Sequence, residues 1–350
     1  MPRPSALPLA VLLALFVSLL SLPPLAADKL RHAEVRRTEG LHAVQFRLKE
    51  GAVEVLLPYD LGVGETVSGS LIVHTAGMPG KKRDKNRQKM GRLGVRIGGL
   101  SRPAASTAFG PVAVCAGVAG SKLPVLSCER SGDGSQPGAS HRLSVQLLNP
   151  KGHVILEAVL PVAATLEAGS SGYSYLPLGK AGEPLEIVGP FDGDVTNTRV
   201  SLEGHGATPL AESPRRTVVR CPLSILGPTR LQLVERGNAV SGPFRSLAVM
   251  LRLSKPVLQT GERTIVEVVI NGLDDLDADL PLELVSLTPE AAQLERGPRY
   301  PLTISPREVQ SGGVYPWVGT VVGVSPAPID LEVQLEGARP RQSLRPAGSP

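Results

Sequence analysis

Arg142-Leu-Ser-Val-Gln-Leu-Leu148, Asn149-Pro-Lys-Gly152 and Val154-Ile-Leu-Glu-Ala-Val-Leu-Pro-Val162 together decide the fold class of this chain. The first run alternates polar and apolar residues, the period of a strand with one face turned inward. The middle four residues form a turn signal: Asn bonds its own local backbone, Pro fixes φ and Gly accepts positive φ. Two apolar runs joined by such a turn predict an antiparallel hairpin. The pattern repeats outward. Val53–Leu57 stops at Pro58, Thr66–His74 alternates, and Leu93–Ile97 alternates before Gly98-Gly99. Short strands punctuated by Gly and Pro predict an all-β sandwich architecture and speak against βαβ units. No stretch predicts a helix longer than about three turns. Thr288–Leu294, with Pro289 near its start, predicts one short helical turn.

Residues 1–27 read as a secretory signal peptide. Arg3 gives the positive start, Leu9–Leu22 the apolar core, and Leu25-Ala26-Ala27 a small-residue cleavage site before Asp28. The apolar core is too short for a membrane span and no second one follows, so no transmembrane segment is expected in the mature chain. No Cys stands at the cleavage point, which speaks against a lipid anchor. The expected location is secreted or periplasmic.

Composition narrows the chemistry. Aromatic residues make up only 3% of the chain, so the cores must be aliphatic and stacked-ring sugar platforms have few candidates. A net charge of +5 over 350 residues says little about a polyanionic partner. Cys115 and Cys128 are spaced for a disulfide between neighbouring strands, which an oxidising compartment favours. Sequence leaves the bridged and free forms both open. Cys221 reads as a small buried hydrophobe, and no His lies near it in sequence to make it a nucleophile.

The middle of the chain carries a resemblance. Pro184-Leu-Glu-Ile-Val-Gly-Pro-Phe-Asp-Gly-Asp194 leads through Thr196-Asn-Thr198 into Arg199-Val-Ser-Leu-Glu-Gly204, then to Thr217–Cys221 and Leu231-Gln-Leu-Val234. This order of strands and glycine-marked turns resembles the IPT/TIG immunoglobulin-like module over about 70 residues, departing from it at Gly204-His-Gly206. Ile187, Val200 and Leu202 supply the inward face, and Gly193 a tight turn. The resemblance implies a spacer or binding module with no catalytic residues to transfer, and with the short leader it points to a bacterial envelope. A second pattern extends the reading: Leu61-Gly-Val-Gly-Glu65 and Leu258-Gln-Thr-Gly-Glu262 each feed a strand. The predicted fold is all-β, with tandem immunoglobulin-like β-sandwich domains after the leader. The expected division is 28–167 with a basic loop at 77–92, 183–252 for the IPT/TIG-like sandwich, 253–336 for a third sandwich, and a disordered tail over 337–350. The third joins the second near Val249–Pro256 without a flexible linker, which predicts a stiff junction.

Three constellations carry candidate chemistry. Lys81, Lys82, Arg83, Lys85, Arg87 and Lys89, continued by Arg92, form a cationic run expected as a solvated loop that could contact an anionic glycan or envelope surface. No aromatic residue interrupts it to stack bases, so nucleic acid is not an expected partner. Asp275, Asp277 and Asp279 open like an EF-hand, but Leu280 replaces the turn glycine and Ser286 the bidentate Glu. A solvated turn is expected, with a calcium site of another kind as the alternative. Asp192 and Asp194 are expected to cap a turn, and Glu65 and Glu262 to be turn or strand-edge residues. No HExxH or GxSxG occurs, and the six histidines are scattered. No cofactor is expected. The leading expectation is a non-enzymatic structural or protein-contact role; an anionic-glycan module comes second, and a carbohydrate-active enzyme with an unrecognised carboxylate pair third.

Overall fold

The computed structural model describes residues 32–76, 80–97, 100–103, 108–113, 129–130, 141–163, 166, 171–295, 297–335 and 340–346. Residues 1–27, expected as a signal peptide, and Cys115 and Cys128, expected as a possible disulfide, lie outside them. The fold is all-β, in sandwiches of antiparallel sheets.

In the first sandwich, His32–Thr38, Leu41–Leu48, Gly51–Pro58 and Thr66–Thr75 form a meander. The facing sheet contains the predicted hairpin, with His141–Leu148 antiparallel to Val154–Val162, and Gly94–Ile97 beside it. Lys151 and His153 backbone N–H groups both donate to Asn149 Oδ1, which is how Asn149 makes the turn. Val44, Phe46, Val53 and Val55 of one sheet pack on Val95, Leu143, Val145 and Leu147 of the other.

The middle sandwich places Pro184–Val188, Thr208–Ser213 and Arg216–Arg220 in one sheet, and Thr198–Leu202 with Gly227–Glu235 in the other. Ile187, Val200 and Leu202 are buried as expected. At Gly204-His-Gly206 the chain makes a tight hairpin, with Glu203 and Gly204 both at positive φ and Leu202 paired with His205. The third sandwich sets Arg263–Asn271 and Val314–Gly323 against Leu280–Ser286, Arg299–Ile304 and Leu331–Gln334. Thr288 accepts from the N–H groups of Ala291 and Ala292, a single helical turn. The repeated Leu-x-x-Gly-Glu pattern has a shared geometry: Gly64 and Gly261 both lie at φ 80° and Leu61 and Leu258 are both buried.

Two expectations are corrected. Lys81–Met90 is an α-helix, not a loop. Met90 anchors it in the first core, Asn86 Nδ2 donates to Ala76 O at 3.0 Å, and Lys89 pairs with Glu50 at 3.2 Å. The tail expected to be disordered folds back onto the middle sandwich over its described part. Gln342–Ser343 pairs with Ser174–Tyr175, Arg345–Pro346 pairs with Val240–Ser241, and Leu344 is buried between them.

The sandwiches meet through buried contacts. Thr66–Thr75 is buried on both faces over Val67–Leu71, because its outward serines lie under the middle sandwich. Ser68 Oγ donates to Gly193 O at 2.7 Å, Ser70 Oγ donates to Leu210 O at 2.7 Å, and Glu212 pairs in register with Ser68. Leu41, Ala43 and Leu56 pack there on Leu210, Ala211 and Val218. Between the middle and third sandwiches the chain never leaves β structure. Asn238–Leu253 is one 16-residue strand whose first part pairs with Gly227–Glu235 and whose last part pairs with Arg263–Asn271. At about 3.3 Å per residue it spans roughly 50 Å.

Candidate functional site

The sharpest concentration of polar chemistry lies where the three sandwiches converge. Arg215 and Arg216 follow the turn after Ser213 and reach into the first sandwich. Arg215 Nε lies 3.0 Å from Asp60 Oδ2, its terminal nitrogens bond Glu65, and Ser213 Oγ donates to Asp60 Oδ1 at 3.0 Å. Arg216 pairs with Asp60 at 2.9 Å and with Glu186. Both arginines and Asp60 are nearly buried, with side chains 12%, 10% and 7% exposed. Such charges are held only by close pairing, and removing one partner strands the other. Glu65, expected as a turn residue, is therefore a junction residue, while Glu262 stays in its turn and accepts from the Gln259 N–H.

Tyr59 is the hinge of this cluster. The Arg216 guanidinium lies 3.9 Å from its ring centre and that of Arg37 lies 4.0 Å away. Cation–π attraction fixes both on one aromatic platform. Arg341, carried by the returning tail, also pairs with Glu186. Gly40 makes the neighbouring turn at φ 76°; a Cβ there would stand 2.6 Å from Glu186 Oε1.

Beside this cluster opens a cleft of ≈ 370 Å³. Arg37, Glu39 and Tyr59 come from the first sandwich, Lys180 and Glu186 from the middle, and Leu335 and Arg341 from the chain beyond the third. Junction clefts of this size are common ligand sites. Glu39 is exposed at the mouth yet closely surrounded by protein, and that crowding pushes its carboxyl up to about 7; Lys180 opposes the shift, while Glu332, Glu183 and Glu186 add to it. Lys180 itself pairs with Glu332 at 2.8 Å, joining middle to third sandwich. Glu186 and Glu332 are thus committed to cations, while Glu39 has no ion pair among the described residues.

The residues singled out in the sequence lie elsewhere. Lys81, Lys82, Arg83, Lys85, Arg87 and Lys89 project from the helix, all exposed, with Arg92 just beyond it. Asp275, Asp277 and Asp279 belong to the turn before Leu280–Ser286. Arg245 crosses to that turn and donates to the carbonyl oxygens of Gly272 and Asp274 at 2.9 and 2.6 Å. Among the described residues no group of three or more His, Cys, Asp or Glu is placed to hold a metal ion. Asp194 caps the short 3₁₀ turn by accepting from the Thr196 N–H, and Asp192 accepts from Asp194 N–H, Asn197 Nδ2 and Arg236. Cys221 is a buried free thiol in the middle core, raised to about 12 first by burial and then by Glu39 and Glu183, so it is a packing residue and no nucleophile.

Sequence reading missed Glu39, Tyr59, Asp60, Glu186 and the Arg215–Arg216 doublet as a site. The signal was the doublet itself, two adjacent cations in a turn, and one of five tyrosines directly before an acid.

No family model and no curated protein matches the chain. Among solved structures, it is similar to SGBP-B from a complex xyloglucan utilization locus in Bacteroides uniformis, at 10% identity and a TM-score of 0.29, covering 86% of this chain and 97% of that one. It is also similar to SGBP-B of a Bacteroides ovatus mixed-linkage glucan utilization locus, solved with a mixed-linkage heptasaccharide, at 10% identity and TM-score 0.23, covering 87% and 93%. The ICAM-5 D1–D4 ectodomain fragment matches at 16% identity and TM-score 0.18, covering 85% and 90%. These scores are low, and the immunoglobulin-like fold stands on the strand pairing and the two-sheet cores.

Proposed function

We propose that this chain is an exported structural and contact protein of the cell envelope, without catalytic activity. Its sandwiches, the middle one of the IPT/TIG kind, act as one stiff unit that presents the junction cleft to a partner. One observation carries this reading: both junctions are built as interior, one by the buried Asp60–Arg215–Arg216–Glu186 cluster and the other by the unbroken strand Asn238–Leu253. Independent modules on linkers would not keep four charges buried between them. Spin labels at Lys151→Cys and Arg307→Cys, on the first and third sandwiches, test it. A single narrow distance distribution is expected, and a broad one overturns the stiff-unit reading. Export is tested by N-terminal sequencing of the secreted product, with Asp28 expected first and retained Met1 the failing result.

A second reading rests on the helix Lys81–Met90, whose cations are exposed while only Met90 is buried. Such a surface suits an anionic glycan or envelope surface, with binding that weakens steeply as salt rises. Replacing Lys81, Lys82, Arg83, Lys85, Arg87 and Lys89 with Gln abolishes retention on a sulfated-glycan column if this reading holds. Unchanged retention sinks it.

A further inference from the structure

The returning tail completes a feature that none of the readings above uses. On the outer face of the middle sandwich lies an open depression of ≈ 520 Å³, lined by Arg230, Ser241, Pro243, Gln342, Ser343 and Arg345 among others. Strand register explains why these residues converge. Arg230 stands opposite Pro243, and Ser241 stands opposite Arg345 on the other side of the same strand. Positions 241 and 243 share one face of that strand, so both arginines project from the same surface, flanking Ser241.

Arg215, Arg216, Arg236 and Arg341 all hold carboxylates. Among the described residues, Arg230 and Arg345 have no acidic partner and no carboxylate lines the depression. The hydroxyls of Ser241 and Ser343 are not engaged in hydrogen bonds with other described residues, although Ser241 is nearly buried at 7% exposure.

The floor is rigid. Tyr175, fully buried, donates its hydroxyl to Pro243 O at 2.6 Å. Gly242 has no room for a side chain: a Cβ would stand 2.2 Å from the Tyr175 hydroxyl and 3.2 Å from Leu344. Leu344 in turn fastens the tail by its buried side chain and by its N–H donating to Tyr173 O at 2.9 Å. Two arginine forks with hydroxyl donors between them, mounted on a fixed backbone, match the several acceptor oxygens of a tetrahedral oxyanion.

We propose that this face is an oxyanion site, in which Arg230 and Arg345 bind a sulfate or phosphate group and Ser241 and Ser343 donate to its remaining oxygens. The site is separate from the cationic helix and does not depend on the stiff-unit reading. It assigns a purpose to the tail, which supplies Arg345 and Ser343.

The test uses the mature full-length chain and two probes, inorganic sulfate and a monosulfated disaccharide, followed by amide shifts in NMR titrations. Shifts are expected at Ser241, Gly242, Ser343 and Arg345. Arg345→Gln and Arg230→Gln should each raise Kd about tenfold, the loss of one charge-assisted contact, with unchanged thermal midpoints. Gln replacement of the six helix cations should change Kd by less than about twofold. Tighter binding of the disaccharide than of sulfate supports an ester on a larger ligand; equal binding supports a free anion. Shifts confined to Lys81–Arg92, or an Arg230→Gln/Arg345→Gln double variant binding like wild type, overturn the proposal.

Discussion

Glu212 shows what one buried group does to the molecule's response to pH. It is fully buried, and among the described residues neither carboxylate oxygen has a hydrogen-bond partner of good geometry. Burial pushes it up to about 7, opposed by the nearby Thr198 and Thr217 hydroxyls and reinforced by Asp192 and Glu235. The folded chain therefore keeps a proton that the unfolded chain releases nearer 4.5. Stability is fully present below that lower value, falls as pH rises towards 7, and levels off above it. Glu212→Gln should leave stability unchanged at pH 4 and raise it at pH 8 by about 3 kcal/mol, since each tenfold change in proton affinity is worth about 1.4 kcal/mol. Denaturant melts at both pH values check this. A second residue, Gly193, was readable as a turn glycine and is one, at φ 80°. Its other duty was not readable. A Cβ there would stand 1.9 Å from Thr66 O, so Gly193 also lets the middle sandwich approach the first closely.

At the scale of elements, legibility followed periodicity. The hairpin of His141–Leu148 and Val154–Val162 was plain because alternation and turn chemistry agree there. The Lys81–Met90 helix was not, because it has no apolar stripe: one residue, Met90, docks it, and the rest is solvated. Helix order therefore depends on that contact, with help from Asn86 and Lys89. Met90→Ala should cost about 2–5 kcal/mol, as large-to-small core changes do, and reduce helical circular dichroism. The tail was misread for the same reason, since Leu344 is one apolar residue in a polar run. The serines of Thr66–Thr75 are buried under the next sandwich; alternation reports polarity, and small hydroxyls also suit a close junction.

The whole molecule is set by its junctions, whose residues come from distant parts of the chain. Asp60 meets Arg215, and Glu186 meets Arg341, across separations of about 155 residues that no local pattern announces. Arg215→Ala leaves Glu65 without its cation and Asp60 held only by Arg216 and Ser213, and should destabilise the chain by about 3–5 kcal/mol. The same variant should broaden the label distances between first and third sandwiches, which separates loosening of the junction from loss of fold. The return of the tail has one more consequence. The third sandwich leaves the middle one through Asn238–Leu253, and the chain comes back to the middle one at Gln342–Pro346. In connectivity the third sandwich is an insertion with both ends on its host. Pulled between residues 32 and 346, the chain carries tension through the first two sandwiches, and the third stays out of the load path while the tail remains docked.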